Sequence, residues 1–400
     1  MKNLTLAVIA VVVLGAGIYW AADYLARTRN PNLDPNTISD VREDREDLVS
    51  NLSGSQLDQV AYKVEEVVGG LYVPWSIVFT SQDRVLVNER NGNIRVIEGG
   101  ELLEAPLFTF VDVSEQSEAG LMGLTIDPNY EDNKYLYACY TYTVGGGLRN
   151  KIVRLVDEGN SARVDKTLLD DFPAAEVHAG CRIKFGPDGK LYVTTGDARD
   201  RQLAQDLGSL AGKILRMNSD GSIPTDNPFD GSYVYSYGHR NPQGLSWNSQ
   251  TREMFETEHG PSGFDGPGGG DEVNIIMPGK NYGWPEVSHE ESAEGMESPK
   301  WVFTPAVAPA SALVYSGRMF PQFKGNLFFG GLAGTGLYRV SFDAAEAISA
   351  EKVGEVNFGR IRDVVESPNG EIWFSTSNRD GRGQVRVGDD KIYRLVAAKI

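Results

Sequence analysis

The sequence predicts an all-β protein, a six-bladed β-propeller preceded by an N-terminal apolar helix. Three observations carry that expectation. First, from Tyr62 onward one pattern recurs: an apolar strand, a turn, then a returning strand that opens on a β-former. It appears as WSIVFTSQDRVLVNE, LTIDPNYEDNKYLYACY, RIKFGPDGKLYVTTG, LSWNSQTREMFETE, LVYSGRMFPQFKGNLFFG and VVESPNGEIWFSTS. Second, the returning strands begin near Val85, Tyr135, Leu191, Met254, Leu327 and Ile372, at spacings of about 45 to 73 residues, which leaves room for four strands and their loops per unit. Third, no long helical periodicity interrupts them, and 45 glycines with plentiful aromatics suit a turn-rich β protein. A sandwich or jelly roll would supply strands and turns but not the regular recurrence.

The chain opens on a run from Leu4 to Ala22, LTLAVIAVVVLGAGIYWAA, that carries no charge and ends on Tyr19 and Trp20, placed like interfacial anchors. Two readings stand: an uncleaved signal anchor, or a secretory signal cut near Ala21 and Ala22. The length of the run and the lack of a clean A-x-A favour the anchor, while Arg27 and Arg29 after it weaken the positive-inside bias. Either way the remainder is exported. Residues 1–29 are therefore assigned to this segment, 30–60 to a polar, charge-rich stalk, and 61–400 to the propeller.

At 400 residues the chain can bury a full core, and its net charge of −17 argues against a nucleic-acid partner, which would need a basic face. Its two cysteines, Cys139 and Cys181, are too few for a disulfide framework. They either pair in an oxidising compartment or stay as buried thiols, and thiols are the favoured expectation.

The chemistry-bearing residues sit where the repeat is broken. The stretch Glu176–Asp197, EVHAGCRIKFGPDGKLYVTTGD, runs from His178 through a turn at Pro187-Asp188-Gly189 back to Asp197. Two strands joined by a tight turn hold both ends on one sheet edge, where a carboxylate could orient an imidazole. The plainer reading is a hairpin whose histidine caps a loop. EAGLMGLTIDP from Glu118, SYGHRNPQGLSW from Ser236, ETEHGPSGFDGPGGGDEVN from Glu256 and NYGWP from Asn281 also depart from the repeat. In GRIRDV, Arg360 and Arg362 fall on the same side of a strand.

Taken in order, H-x-G-x-R, GPDGKLYVTTGD, YGHRNPQGL, EHGP followed by GDE, NYGWP and RIRDV resemble the soluble pyrroloquinoline-quinone-dependent sugar dehydrogenases, the glucose/sorbosone dehydrogenase group, and within it the periplasmic aldose sugar dehydrogenases. The likeness spans roughly Tyr62 to Leu395. It implies a six-bladed propeller that oxidises the C1 hydroxyl of an aldose to a lactone and passes electrons to a respiratory acceptor, in the periplasm, held to the inner membrane or released into the periplasm or medium after signal cleavage. The resemblance makes His178 the general base, Asp197 its orienting carboxylate, and Arg240 the group beside the reactive quinone carbonyl. Asn241, His259, Arg360 and Arg362 match positions that line or bind the cofactor, whose three carboxylates call for forked guanidiniums. Calcium would be held by backbone carbonyls at Gly260 and Pro261, and Glu272 with Tyr282 match a second, structural calcium position.

Three departures stand out. Glu118 replaces the glutamine usual before Gly-Leu-Leu-Gly, and a carboxylate beside an anionic cofactor is expected to be repelled, its pKa raised or the cofactor weakened. The residues SGFDGPGG lengthen the calcium loop. Ala333 stands near the place of a cofactor-contacting lysine of the glucose-oxidising branch. Plainer readings accompany the assignments: Arg240 and Arg362 as propeller-closing ion pairs, Asp271-Glu272 as a solvated acidic turn, Glu258 as a hydrogen-bonded strand end, His289 as surface, and Cys181 as an apolar packer. At the level of function the alternatives are a calcium-dependent lactonase and a non-catalytic binding propeller.

Overall fold

Alternating apolar residues bounded by glycine-rich turns form short antiparallel strands, and twisting four-stranded sheets bury both faces when they pack around an axis. The computed structural model describes residues 61–354 and 356–398, and the segments assigned above to 1–29 and 30–60 lie outside them. Six sheets make six blades. Blade one contains β2 (Pro74–Phe79), β3 (Arg84–Glu89), β4 (Asn93–Glu98) and β5 (Glu101–Leu102), with β6 (Phe108–Thr109) also paired to β4. Blade two contains β7 (Leu121–Ile126), β8 (Tyr135–Val144), β9 (Gly147–Asp157) and β10 (Ala162–Pro173). Blade three is β11 (Ile183–Phe185), β12 (Leu191–Thr195), β13 (Lys213–Met217) and β14 (Val234–Tyr237); blade four is β15 (Pro242–Trp247), β16 (Met254–Glu258), β17 (Asp271–Ile276) and β18 (Trp301–Phe303). Blade five is β19 (Leu313–Val314), β20 (Leu327–Gly331), β21 (Gly336–Asp343) and β22 (Glu346–Lys352). The returning strands read from sequence are β3, β8, β12, β16, β20 and β24.

Blade six closes the ring. Its first three strands, β23 (Ile361–Glu366), β24 (Ile372–Thr376) and β25 (Ile392–Ala397), come from the C-terminal part of the chain, and its outermost strand is β1 (Tyr62–Val68). Tyr62 lies opposite Ala397 and Val68 opposite Ile392 in an antiparallel ladder that joins the two ends of the propeller. The first strands of successive blades contact one another around the axis, β2 against both β7 and β23.

Apolar faces of neighbouring blades form the core. Between blades two and three, Tyr137, Ile152, Phe172, Ile183, Leu191, Val193 and Leu215 are buried in one cluster. Each such side chain contributes about 1.5–3 kcal/mol when removed from water. Across the same interface Cys139 of β8 and Cys181, just before β11, form a disulfide with their Cα atoms 5.6 Å apart. The expectation of free thiols is thereby corrected. Blade packing brings together two residues 42 apart in sequence, and no local pattern carries that distance.

Among the described residues no helix is long and apolar enough to cross a membrane.

Candidate active site

In an antiparallel blade the start of the first strand and the end of the second lie at the same edge. The segments gathered there are the ones that break the repeat. Glu118 precedes β7, His178 precedes β11 and Asp197 follows β12; Arg240 and Asn241 precede β15, and His259 follows β16. Arg360 precedes β23 and Asp380 follows β24.

His178 is buried and takes a left-handed backbone conformation, φ 57°, uncommon for a residue with a side chain and frequent at functional sites. Its loop crosses the one leading to Asp197 so closely that a Cβ at Gly196 would lie 2.0 Å from the His178 carbonyl oxygen, so only glycine fits there. The crossing brings His178 Nδ1 to 2.8 Å from Asp197 Oδ1. Asp197 is held in turn: Trp284 Nε1 donates to its Oδ2 at 2.9 Å and the Arg199 amide to its Oδ1 at 2.8 Å. A carboxylate accepts only from a protonated ring nitrogen, so neutral His178 carries its lone pair on Nε2.

Beside His178 lies a chamber of about 400 Å³ lined by five arginines, Arg90, Arg240, Arg360, Arg362 and Arg382, against three carboxylates, Glu118, Asp271 and Asp380. Arg360 reaches Asp380 at 2.7 Å, whereas Arg362 lies 3.8 Å from the same oxygen. The Nε of Arg362 is buried with no hydrogen-bond partner among the described residues. Burial, together with Arg360 and Arg90, pulls its pKa down to about 9 against the pull of Asp380 and Glu118. An under-neutralised buried guanidinium is a site for an anion.

Arg240 is buried. Its Nε donates to Asp265 at 2.7 Å, one Nη to the His259 carbonyl and the other to Ser262 Oγ, both at 3.1 Å, and its guanidinium faces the Trp284 ring at 5.5 Å. This pair ties a loop to the site and does not join blades. His259 lines the chamber, its Nε2 3.1 Å from the Pro309 carbonyl, and burial lowers its pKa to about 4.

Glu118 is held from several sides. Its Oε2 accepts from the His178 amide at 3.0 Å and from Asn241 Nδ2 at 3.2 Å, and Arg382 approaches its other oxygen at 3.5 Å. Burial would raise its pKa, but the neighbouring His259 and His178, the His178 amide and Arg382 outweigh it and hold the carboxyl below its ordinary range. Its nearest protein groups are donors and cations, whereas the expected repulsion is that of a bound quinone.

Gly260 and Pro261 follow the histidine of EHGP at the chamber wall. A Cβ at Gly260 would lie 2.2 Å from the Gly270 carbonyl and 2.3 Å from that of Gly269, so glycine lets several backbone oxygens crowd together; the Pro261 carbonyl accepts from the Gly269 amide. Asp271 organises this wall. It is 2% exposed and accepts from the amides of Gly260, Val307 and Ala308 at 2.6–2.9 Å. The reading of Asp271-Glu272 as a solvated turn is overturned, since both are buried on β17. His289, expected at the surface, is half-buried against Gly270.

Glu272 faces Glu258 across the ladder and Glu256 faces Asn274, so three carboxylates share one side of β16 and β17. Asn274 Nδ2 donates to Glu256 and Glu272, while Glu256 Oε1 and Asn274 Oδ1 are buried without partners among the described residues. Burial and mutual repulsion push Glu256 and Glu272 well above the carboxylate range. Glu258 ends β16 and bonds His239 at 3.1 Å, as a strand-end residue should. The Tyr282 hydroxyl is engaged by the Ile275 carbonyl and the Met277 amide, and its ring stacks on His239.

Sequence reasoning missed Arg90, Asp380 and Arg382 of the chamber, and Trp284, whose NYGWP motif was seen without a role. For the GRG turn after Asp380 a local signal existed; for Arg90, at the end of an ordinary repeat strand, none did.

A carboxylate-oriented imidazole opening on an arginine-rich chamber, built from the loops at one edge of a six-bladed propeller, defines a protein whose site is suited to an anionic ligand. The chain belongs to the glucose/sorbosone dehydrogenase family, whose model matches residues 71–393. It is 29% identical over 342 residues to the aldose sugar dehydrogenase of Escherichia coli, covering 80% of this chain and 91% of that one. The PQQ-bound aldose sugar dehydrogenase of Streptomyces coelicolor superposes with a TM-score of 0.75 at 34% identity, over 85% of this chain and 99% of that one. A glucose dehydrogenase-like oxidoreductase of Thermus thermophilus gives 0.77 at 42% identity, over 84% and 100%.

Proposed function

We propose that this chain is a quinoprotein aldose dehydrogenase that oxidises the C1 hydroxyl of a sugar to a lactone. The observation that carries the reading is the buried, under-neutralised Arg362 in a five-arginine chamber that opens directly on His178. The donor set suits pyrroloquinoline quinone, a tricarboxylate: Arg360, Arg362, Arg240, Asn241 and His259 would hold it, with Glu118 fixing Asn241. When bound, the quinone supplies the two-electron acceptor for the C1 hydride.

The chain's own part is positioning and proton transfer. His178 Nε2 takes the C1 hydroxyl proton, and Asp197 keeps the ring in the required tautomer and favours the imidazolium that forms. Arg240 offers positive charge where negative charge develops. The carbonyls of Gly260 and Pro261 would hold a calcium ion at the chamber. Glu272, with Glu256, Glu258 and the orphan Asn274 Oδ1, would hold a second, structural one, whose charge would offset three crowded carboxylates.

Export to the periplasm, through the apolar run Leu4–Ala22 acting as an inner-membrane anchor, belongs to the same proposal. The Cys139–Cys181 disulfide supports an oxidising compartment. Electrons would leave to a respiratory acceptor.

Reconstituting metal-free protein with calcium and quinone, then following dye reduction across a sugar panel, tests the proposal. A quinone absorbance change on adding sugar is the expected result. Hydrolysis of lactones without quinone would point to a hydrolase, and neither activity to a binding propeller.

A further inference from the structure

The extra residues of the loop after Pro261, though largely exposed, are tied back beside His178. Asp265 is clasped to Arg240 at 2.7 Å, and its Oδ1 accepts from the Ser262 amide at 2.9 Å. The Asp265 carbonyl takes a bond from Arg201, and Gly263 and Gly266 close a tight turn between them. Between these fixings stands Phe264, 64% exposed, with its ring stacked on the His178 imidazole at 5.9 Å and 25°.

Phe264 and Asp265 also form a wall of a second groove, of about 480 Å³, that shares His178 with the arginine chamber and is otherwise lined by Asp197, Arg199, Asp200, Arg201 and Gln202. This groove pairs one aromatic face with a polar rim. That combination suits a pyranose, whose C–H face packs on an aromatic ring while its hydroxyls find polar partners. An exposed loop-tip phenylalanine with no role would not need its neighbour clasped to a buried arginine or its ring set against a buried histidine.

We propose that the arm Ser262–Gly266 is the specificity wall of the sugar site, with Phe264 the residue that sets which sugars fit and Asp265 the clasp that holds it. The inference rests on the dehydrogenase reading above. A sugar whose C1 hydroxyl reaches His178 Nε2 lies against Phe264, so the ring gains contact with a compact monosaccharide and crowds the substituents of a longer one.

The test uses the full chain. In the quinone- and calcium-loaded protein, Phe264→Ala should raise the KM for glucose by about five- to tenfold, the equivalent of about 1 kcal/mol of lost contact. It should lower or leave the KM for maltotriose, with smaller changes in kcat for either sugar. A second readout needs neither cofactor nor turnover: in quinone-free protein the ring current of Phe264 should shift the carbon-bound proton resonances of His178, and Phe264→Ala should remove that shift. Asp265→Asn, which weakens the clasp, should move both readouts in the same direction and less far. An active parent whose Phe264→Ala variant keeps the same glucose-to-maltotriose KM ratio overturns the wall while leaving the dehydrogenase intact. A parent that oxidises no sugar overturns the functional reading and the wall with it.

Discussion

Asp197 is gripped from two sides, by His178 Nδ1 at 2.8 Å on one oxygen and by the indole N–H of Trp284 at 2.9 Å on the other. The imidazole is therefore aimed by a carboxylate that cannot swing. His178→Ala should bind quinone like the parent in a titration of the apo-protein yet lower kcat by on the order of 10² to 10⁴. Trp284→Phe removes one charge-assisted bond and should cost about tenfold in kcat with little change in KM. Parental turnover by His178→Ala would end the proposed mechanism.

The disulfide links blades two and three at Cys181, three residues from His178. Removing it with a Cys139→Ser/Cys181→Ser pair frees a 42-residue loop in the unfolded chain. Chain-entropy reasoning puts the loss at about 4 kcal/mol. Denaturant unfolding of the variant against the oxidised parent reads this directly. Midpoints that coincide would show that blade packing alone holds the His178 loop.

Glu118 gives a pH signature. Its folded pKa lies below the ordinary 4.5, so the stability it contributes is present above that value and is lost as pH falls through the folded one. Glu118→Gln keeps the shape but not the charge. It should be less stable than the parent by about 1 kcal/mol at pH 7, the difference between charged and neutral hydrogen bonds, and the gap should narrow as pH falls below the ordinary carboxyl range. Quinone affinity should weaken, because the bonds from Asn241 and the His178 amide lose their charge assistance. A tighter-binding Gln variant would restore the repulsion that the sequence alone suggested.

Asp271 satisfies three backbone amides from two separate segments. Asp271→Ala leaves those donors buried and unpaired and should destabilise the fold by about 3 kcal/mol or more. Loss of calcium-dependent quinone retention should accompany it, since the Gly260–Pro261 wall hangs on the same carboxylate. Thermal melts with and without calcium separate the two effects: a variant that melts lower but still gains the parental increment from calcium would rule out a role in the metal wall.

Some of this molecule was readable in the linear chain. Strand, turn and return obey period two and the chemistry of glycine and proline turns, and both are local properties. Six returning strands could therefore be found, and with them the number of blades. The hairpin from His178 to Asp197 was legible for the same reason: a short connection leaves little choice about which ends meet.

What lies across blades was decided by the tertiary structure. The pairing of Tyr62 with Ala397 joins the two ends of the propeller, and the bond between Cys139 and Cys181 depends on how blade two packs against blade three. The sign of the Glu118 shift depends on His178, His259 and Arg382, which the chain places 60, 141 and 264 residues away from it. Charge interactions act through space at distances of a few ångströms, and residue spacing carries no record of such distances once several blades intervene. The sequence by itself determined the strands, the turns and the chemical types gathered at one edge of each blade; only closure of the ring decided which of those groups face one another, and hence that Glu118 is met by hydrogen-bond donors and cations beside His178.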